Sequence, residues 1–253
     1  AGIIYGARVT GNGLVTNNSV EFSNATSKKA VYGAATDGAA STAVLKGNSV
    51  TIKSGTIQDS VAGGRSDGKG AVGGAEEGAG NRVVFENGAA GNLYGGQIDN
   101  SNSAADVTGN SVTITGGTLK DEAMGGIIRS TTSSADITGN TLTISGGAFT
   151  KSGGTNVFGA YTAGSGKAEN NSVTVSNLTN TDLTVYGAHA AGGGNAVNNH
   201  VTIGAAGKVK GIYGGRADSA TGKAEGNTVT IETGGWVNDN SYAGWAKGAV
   251  NRN

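Results

Sequence analysis

The chain has no cysteine and no proline, and these two gaps remove whole classes of fold and chemistry. Without cysteine there are no disulfide staples, thiolate ligands or thiol nucleophiles. Glycine is abundant, 48 of 253 residues. Without proline or a strict three-residue period, however, the chain is not collagen. Charge is sparse and balanced, with 18 basic and 18 acidic residues and 14% charged overall. Such a surface has no electrostatic reason to seek nucleic acid or anionic lipid. No apolar run approaches the ~20 residues of a membrane helix, and no strand series reads as an outer-membrane barrel, so we expect no direct membrane insertion. Aromatics are few, at 5%. The two histidines, His189 and His200, sit in variable positions, and neither a Gly-x-Ser-x-Gly nor a His-Glu-x-x-His string occurs. Gly68-Lys69-Gly70-Ala71-Val72-Gly73 matches a dinucleotide pattern by letters only, without a following helix. We expect no catalytic, cofactor-binding or metal-binding residue set.

What the chain does have is a repeat of about 30 residues. Asn-Ser/Thr-Val-Thr-Ile recurs at Asn48–Ile52, Asn110–Ile114 and Asn227–Ile231, with variants beginning at Asn18, Asn81, Asn140, Asn171 and Asn199. A second string, an apolar pair followed by Gly-Gly or Gly-Ala, alternates with it: Ile4-Tyr5-Gly6-Ala7, Val31-Tyr32-Gly33-Ala34, Leu93-Tyr94-Gly95-Gly96, Val185-Tyr186-Gly187-Ala188 and Ile212-Tyr213-Gly214-Gly215. Looser copies fall at Val61-Ala62, Ala123-Met124, Val157-Phe158 and Tyr242-Ala243. Regular Val-Thr-Ile alternation has strong strand propensity, which excludes a disordered glycine-rich linker. Val112 and Ile114 share one face, and Ser111 and Thr113 the other. One repeat cannot bury that apolar face alone, so neighbours must stack.

The expected fold is all-β, a right-handed parallel β-helix of about eight to nine coils of ~30 residues, with residues 1–253 forming one solenoid domain. A β-propeller needs a longer repeat. Each coil reads as three strands: the Val-Thr-Ile string, a second such as Thr118-Leu119-Lys120, and the Tyr-Gly string, followed by a return loop of variable length. The chain begins and stops in mid-repeat, so we expect it to be a piece of a longer repeat chain.

Several residue columns follow from this stacking. Asn18, Asn48, Asn81, Asn110, Asn140, Asn171, Asn199 and Asn227 should form a structural ladder, each amide donating to one coil and accepting from another. Tyr5, Tyr32, Tyr94, Phe158, Tyr186 and Tyr213 make an interrupted aromatic column, with Ala62, Met124 and Ala243 as gaps; the mixture favours burial or half-burial. Tyr161, Trp236, Tyr242 and Trp245 fall outside it and are candidate contact residues. Arg65 and Asp67 are two more, with Arg8 and Arg216 in matching columns. Asp37, Asp67, Asp99 and Asp218 share one position, where sharing a calcium ion competes with an ordinary turn-forming role. The outward Ser/Thr pairs of the first strand form a Thr-x-Thr array that resembles the ice-binding surface of some antifreeze proteins, but Glu21, Arg82 and His200 interrupt it.

The alternation of Tyr-Gly-Gly with Gly-Asn-Ser/Thr-Val-Thr-Ile over essentially the whole chain resembles passenger domains of bacterial autotransporter adhesins. The resemblance implies a right-handed β-helical stalk, exported through an outer-membrane barrel and displayed on the cell surface. It implies no functional residues, because it lies in the scaffold. On this reading the chain is a non-enzymatic, extracellular stalk or adhesin segment. Its partner would be a host-cell or bacterial surface receptor, protein or glycan. Binding is expected on the return loops, especially Gly63 to Gly80, Gly96 to Asp106 and Gly125 to Asp136. Two alternatives are a self-assembling filament or ice-binding solenoid, and a β-helical polysaccharide lyase or hydrolase using Asp67 and Arg65.

Overall fold

The computed structural model describes residues 2–99 and 104–251. Of the loop Gly96 to Asp106, residues 100–103 lie outside the described part. Strands are the only regular elements among the described residues, and every strand pair is parallel. No helix there is long and apolar enough to cross a membrane. The strands stack into three sheets that wind a β-solenoid of about eight turns.

The Val-Thr-Ile strings form an eight-stranded sheet from Ser19–Phe22 to Thr228–Ile231, in register throughout. The Tyr-Gly strings form a sheet whose main path runs from Ile4–Val9 through Val31–Thr36, Thr56–Ser66 and Ala89–Ile98 to Lys208–Ala217. Coils are ~4.8 Å apart, the spacing of hydrogen-bonded strands. The strand order differs from the sequence reading in one respect. Thr118–Leu119 does not start a separate sheet; it pairs with the leading end of Ala89–Ile98 in the Tyr-Gly sheet. The third sheet comes from the return segments instead. It has nine short strands, among them Val44–Lys46, Val107–Thr108, Ile137–Thr138 and Ala196–Val197. Each is two or three residues long and directs only one apolar side chain inward, too little for alternation to show.

Two apolar cores fill the tube. Val50, Ile52, Val112, Ile114, Val201 and Ile203 of the Val-Thr-Ile sheet pack against Val61, Leu93, Val185 and Ile212 of the Tyr-Gly sheet. Leu45, Val72, Val107 and Ile137 of the return sheet meet Ala34, Ile98, Ile128 and Ala188. Each buried Val or Ile contributes roughly 1.5–3 kcal/mol before the entropy of ordering is subtracted.

At the corner between the return and Val-Thr-Ile sheets stand the eight asparagines. From Asn18 to Asn199 each Nδ2 donates to the Oδ1 of the next coil's asparagine at 2.9–3.1 Å. The same oxygen accepts the backbone N–H of the preceding asparagine at 2.9–3.0 Å. The second Nδ2 hydrogen reaches a return-strand carbonyl, as Asn110 does to Val72 at 2.9 Å. From Asn48 to Asn199 both donors and both acceptor sites are thereby used in a fully buried amide. The residue before seven of the eight ladder asparagines turns the chain through the left-handed region: Asn17, Gly47, Gly109, Gly139, Asn170, Asn198 and Gly226 all have φ between 52° and 67°. Only Gly and Asn occupy that place, as the backbone demands.

Asn110 provides the test of this corner. Asn110→Ala leaves the Asn81 backbone N–H, one Asn81 Nδ2 hydrogen and the Val72 carbonyl without the partner Asn110 gave them, and takes one of two donors from the Asn140 oxygen. With about 1–3 kcal/mol for each buried group left unsatisfied, the expected loss is at least ~3 kcal/mol in urea unfolding followed by circular dichroism. Asn110→Asp keeps the acceptor, loses both donors and buries a charge. Its deficit relative to wild type should therefore shrink as pH falls and the carboxyl is neutralised. A wild-type unfolding curve for either variant would refute the ladder's energetic role.

Candidate functional site

The outer surface of the Tyr-Gly sheet is where aromatic and charged side chains meet. Its strands bend at a glycine directly after the aromatic position. A Cβ added at Gly125 would lie 2.6 Å from the Gly159 carbonyl oxygen and 2.7–2.8 Å from the Thr141 backbone. Only glycine lets the sheet press this closely on its neighbour. The bend leaves the aromatic position and the residue three places later on the same outer surface: Tyr32 and Ala35 share one cluster, while Val31 and Ala34 face the two inner cores.

Sheet register then builds columns. The aromatic column reads Tyr5, Tyr32, Ala62, Tyr94, Met124, Phe158, Tyr186, Tyr213 and Tyr242. Tyr242 is thus the ninth rung and not a residue outside the column; Ala243 lies at the glycine position. The sequence alignment slipped by one because Ser241 holds the place that Ile212 holds one coil earlier. The rings lie outside the tube yet are largely covered, Tyr94 being only 2% exposed and Tyr186 7%. They cover one another: Phe158, Tyr186, Tyr213 and Tyr242 stack at 4.8–5.2 Å with interplanar angles of 5–20°.

Three residues on, the second column reads Arg8, Ala35, Arg65, Gln97, Ile127, Tyr161, His189, Arg216 and Trp245. Arginines from this column roof the tyrosines: Arg8 over Tyr5 at 5.6 Å, Arg65 over Tyr32 at 5.5 Å and Arg216 over Tyr213 at 5.5 Å. Arg216 also lies 4.8 Å from the Trp245 ring. Two positions further on stand Asp37, Asp67, Asp99, Arg129 and Asp218. Arg65 binds Asp67 at 2.8 Å, Asp99 at 3.0 Å and Asp37 at 3.9 Å. Arg8 pairs with Asp37, and Arg129 with Asp99 at 3.4 Å. The calcium reading of these aspartates is thereby replaced: three carboxylates converge on a guanidinium, which already supplies the positive charge. Among the described residues no three His, Cys, Asp or Glu side chains converge on a metal-sized centre. Burial pushes the Asp67 carboxyl above its usual range, partly offset by Arg65.

The row of ion pairs is interrupted once. After Arg129 the next two coils carry Ala163 and Ala191 before Asp218 restores it. Here the surface opens into a hollow of about 350 Å³ lined by Met124, Ile127, Phe158 and Tyr161, with Glu122 and Asn156 along one side and Arg129 and Arg216 at its ends. Burial pushes the Tyr94 hydroxyl up to about 12, and that hydroxyl accepts from Arg129 at 2.7 Å. Burial raises the Glu122 carboxyl as well, against the pull of Lys151. His189 stacks on Tyr186 (5.5 Å, 16°), and one ring nitrogen bonds Asp218 at 2.8 Å. Burial lowers its pKa more than Asp218 raises it. Asp218 itself is held below its usual range, because hydrogen bonds from Arg216 and His189 outweigh its partial burial.

Of the sequence candidates, Arg65, Asp67, Tyr161, Tyr242 and Trp245 therefore lie on this one surface. Trp236 stands apart on the short strand Trp236–Val237, 48% exposed. Glu122, Arg129 and His189 escaped sequence reasoning because each occurs once in its column, and Asn156 because its column holds asparagine only at scattered coils, at Asn92, Asn156 and Asn240. His189 had one usable signal: it follows Tyr186 at the spacing by which Arg216 follows Tyr213.

The other surfaces offer less. The return loops are packed layers and not free arms: Ser165 N–H donates to the Ser133 carbonyl at 2.8 Å, and Lys167 N–H to Asp136 Oδ1 at 2.7 Å. A larger hollow of about 520 Å³ beside Glu76 and Glu77 is half lined by glycine and has no aromatic ring. On the Val-Thr-Ile face, Lys53 pairs with Glu21 at 2.9 Å, and His200 bonds Thr202 at 2.8 Å and also Thr228, so the threonine array is crossed by charge and by a ring. Comparison with known protein families, with curated proteins and with solved structures finds no match.

The folded His189 pKa lies below the ordinary ~6.5 of the unfolded chain. The unfolded state therefore binds the proton more readily, and the histidine's stabilising contribution is lost as pH falls below that value. Among its neighbours Tyr161 and Tyr186 do not titrate in this range, and Asp218 and Arg216 stay charged. Between about pH 7.5 and about pH 5 the wild type should lose more unfolding free energy than His189→Gln. Equal losses would overturn the assignment.

Proposed function

We propose that the chain is a segment of a secreted, surface-displayed bacterial solenoid that acts as a non-enzymatic stalk and adhesin. Its contacts are made through the outer face of the Tyr-Gly sheet, with the return loops as spacers. The observation that supports this reading is the column of aromatic rings, four of them roofed by arginine at Tyr5, Tyr32, Tyr94 and Tyr213, which runs along one face with gaps at Ala62 and Met124 while the other two faces carry threonine, glycine and scattered charge. Rings with polar edges and planar cations combine large contact area with hydrogen bonding, as recognition surfaces do. The repeats hold that column rigid over about 40 Å, so one stalk can present several contact points. The family resemblance in the scaffold repeats supports cell-surface display.

Beads coated with the chain and offered to epithelial cells and to other bacteria provide the test. Replacing both Arg129 and Arg216 by Glu should reduce adhesion at least ~10-fold, as the loss of one or two hot-spot contacts does. Replacing Ser134 and Ser165 on the return loops by Lys should leave adhesion unchanged. The opposite pattern would move the contact surface to the loops, and no adhesion by the wild type would remove the reading.

A further inference from the structure

We propose that the hollow between Met124 and Tyr186 is a saccharide subsite that takes one pyranose ring of a neutral glycan lying along the solenoid axis. This rests on the adhesin reading and names its ligand class. The argument begins with the rings. Phe158 and Tyr186 stack face to face along the axis, which hides those faces. Tyr161 does not join the stack: it stands at 68° to Phe158 and 82° to His189, so its faces look across the groove. A half-buried ring with a face turned to a cavity suits the apolar C–H face of a sugar. Met124 and Ile127 interrupt both columns beside it, providing an apolar floor without another ring to fill the space.

The polar groups around the floor decide the charge of the ligand. Glu122, Asn156, Arg129 and Arg216 offer acceptors and donors from both sides. Each charged one already has a counter-charge: Glu122 lies 3.8 Å from Lys151, Arg129 3.4 Å from Asp99 and Arg216 2.7 Å from Asp218. A cation would meet Arg129 and Arg216 at the ends, and an anion would meet Glu122 along the side, with Asp99 and Asp218 behind the two arginines. A ring of hydroxyls, which donate and accept, meets no such conflict. The dimensions agree. Ala163 and Ala191 clear two rungs between Arg129 and Asp218, a gap of about 14 Å at three coil steps, and the volume of about 350 Å³ falls at the small end of ligand pockets. The hollow is open to solvent, so a ring of a glycan can enter it from outside.

The test is saturation-transfer NMR on the whole chain with neutral glucose, galactose and N-acetylglucosamine oligomers, alongside uronate oligomers and extended peptides. At least one neutral oligomer should bind, with saturation on its ring protons after irradiation of the aromatic region. Tyr161→Ala should weaken it at least ~10-fold, Tyr161→Phe should retain most of the binding, and Thr113→Ala on the opposite sheet should leave it unchanged. If Tyr161→Ala fails to fold, as judged by its melting curve, Asn156→Ala takes its place with the same expected direction. Binding of uronates or peptides alone, no binding at all, or neutral binding indifferent to both variants would overturn the subsite. The two readings separate cleanly. Adhesion abolished by the Arg129 and Arg216 replacements without neutral-glycan binding removes the saccharide and keeps the adhesin; glycan binding without adhesion does the reverse.

Discussion

One hydrogen-bonded amide, repeated eight times, sets the terms for the rest of the molecule. A ladder asparagine uses its whole donor and acceptor capacity only if the coils above and below are at strand spacing and in register. A slip by one residue would bury several unpaired groups and turn every inward Val and Ile outward. The ladder therefore does for a parallel solenoid what a disulfide framework does for a small secreted domain, and it does so without cysteine. Its demands spread outward. In seven of the eight coils the position before it takes a left-handed backbone, supplied by Gly or Asn. In several coils the position facing it on the Tyr-Gly strand has little room: a Cβ at Gly96 would lie 2.5–2.9 Å from the Asn110 amide, whereas other coils fit alanine there, as at Ala34, Ala160 and Ala188. Much of the glycine content is the consequence of fitting three sheets around one buried row of amides.

The same strict register shapes the outer face. When every side chain has a neighbour at ~4.8 Å above and below, like residues must either gain from stacking or be separated. Aromatic rings gain, hence the column from Phe158 to Tyr242. Arginines do not, and Arg8 and Arg65 are separated by Ala35, about 10 Å apart, near the screening length of physiological salt. Asp37, Asp67 and Asp99 do occupy consecutive rungs, and they are tolerated because Arg65 lies among all three, with Arg8 and Arg129 at the ends. The charged strip is thus first a solution to self-repulsion along a repeat; as an interaction surface it is already neutralised.

How much of this was legible in the sequence follows from how many residues each feature spans. The Val-Thr-Ile strands were readable because two inward and two outward residues alternate in every copy, and the ladder because one residue type recurs at one place. The return sheet was not, since a strand contributing Leu45 or Val107 alone has no period to detect. Tyr242 was assigned to the wrong column because Ser241, exposed in the last described coil, does not carry the apolar mark by which the strand was aligned. The hollow was invisible for a deeper reason. It consists of departures from the repeat at residues 30 or more apart in sequence, and only the exact register, with insertions of unequal length between coils, brings Glu122, Tyr161 and Arg216 to one place.

That last point separates scaffold from specificity in this molecule. Positions that repeat are explained by stacking, and a residue present in every coil cannot distinguish one site on the stalk from another. Recognition needs a place where the pattern fails while the backbone does not. The coils from Met124 to His189 meet that condition: the backbone pairing is unbroken, Met and Ile replace ring and cation, and two alanines replace the acidic row. The rigid columns on either side keep the gap from collapsing, because closing it would require unstacking Phe158 from Tyr186 or pulling Arg129 from Tyr94. A cavity held open in this way is preorganised, so a ligand entering it loses little to rearrangement of the protein. In a solenoid, then, the residues to examine for function are those that break a column without breaking a strand.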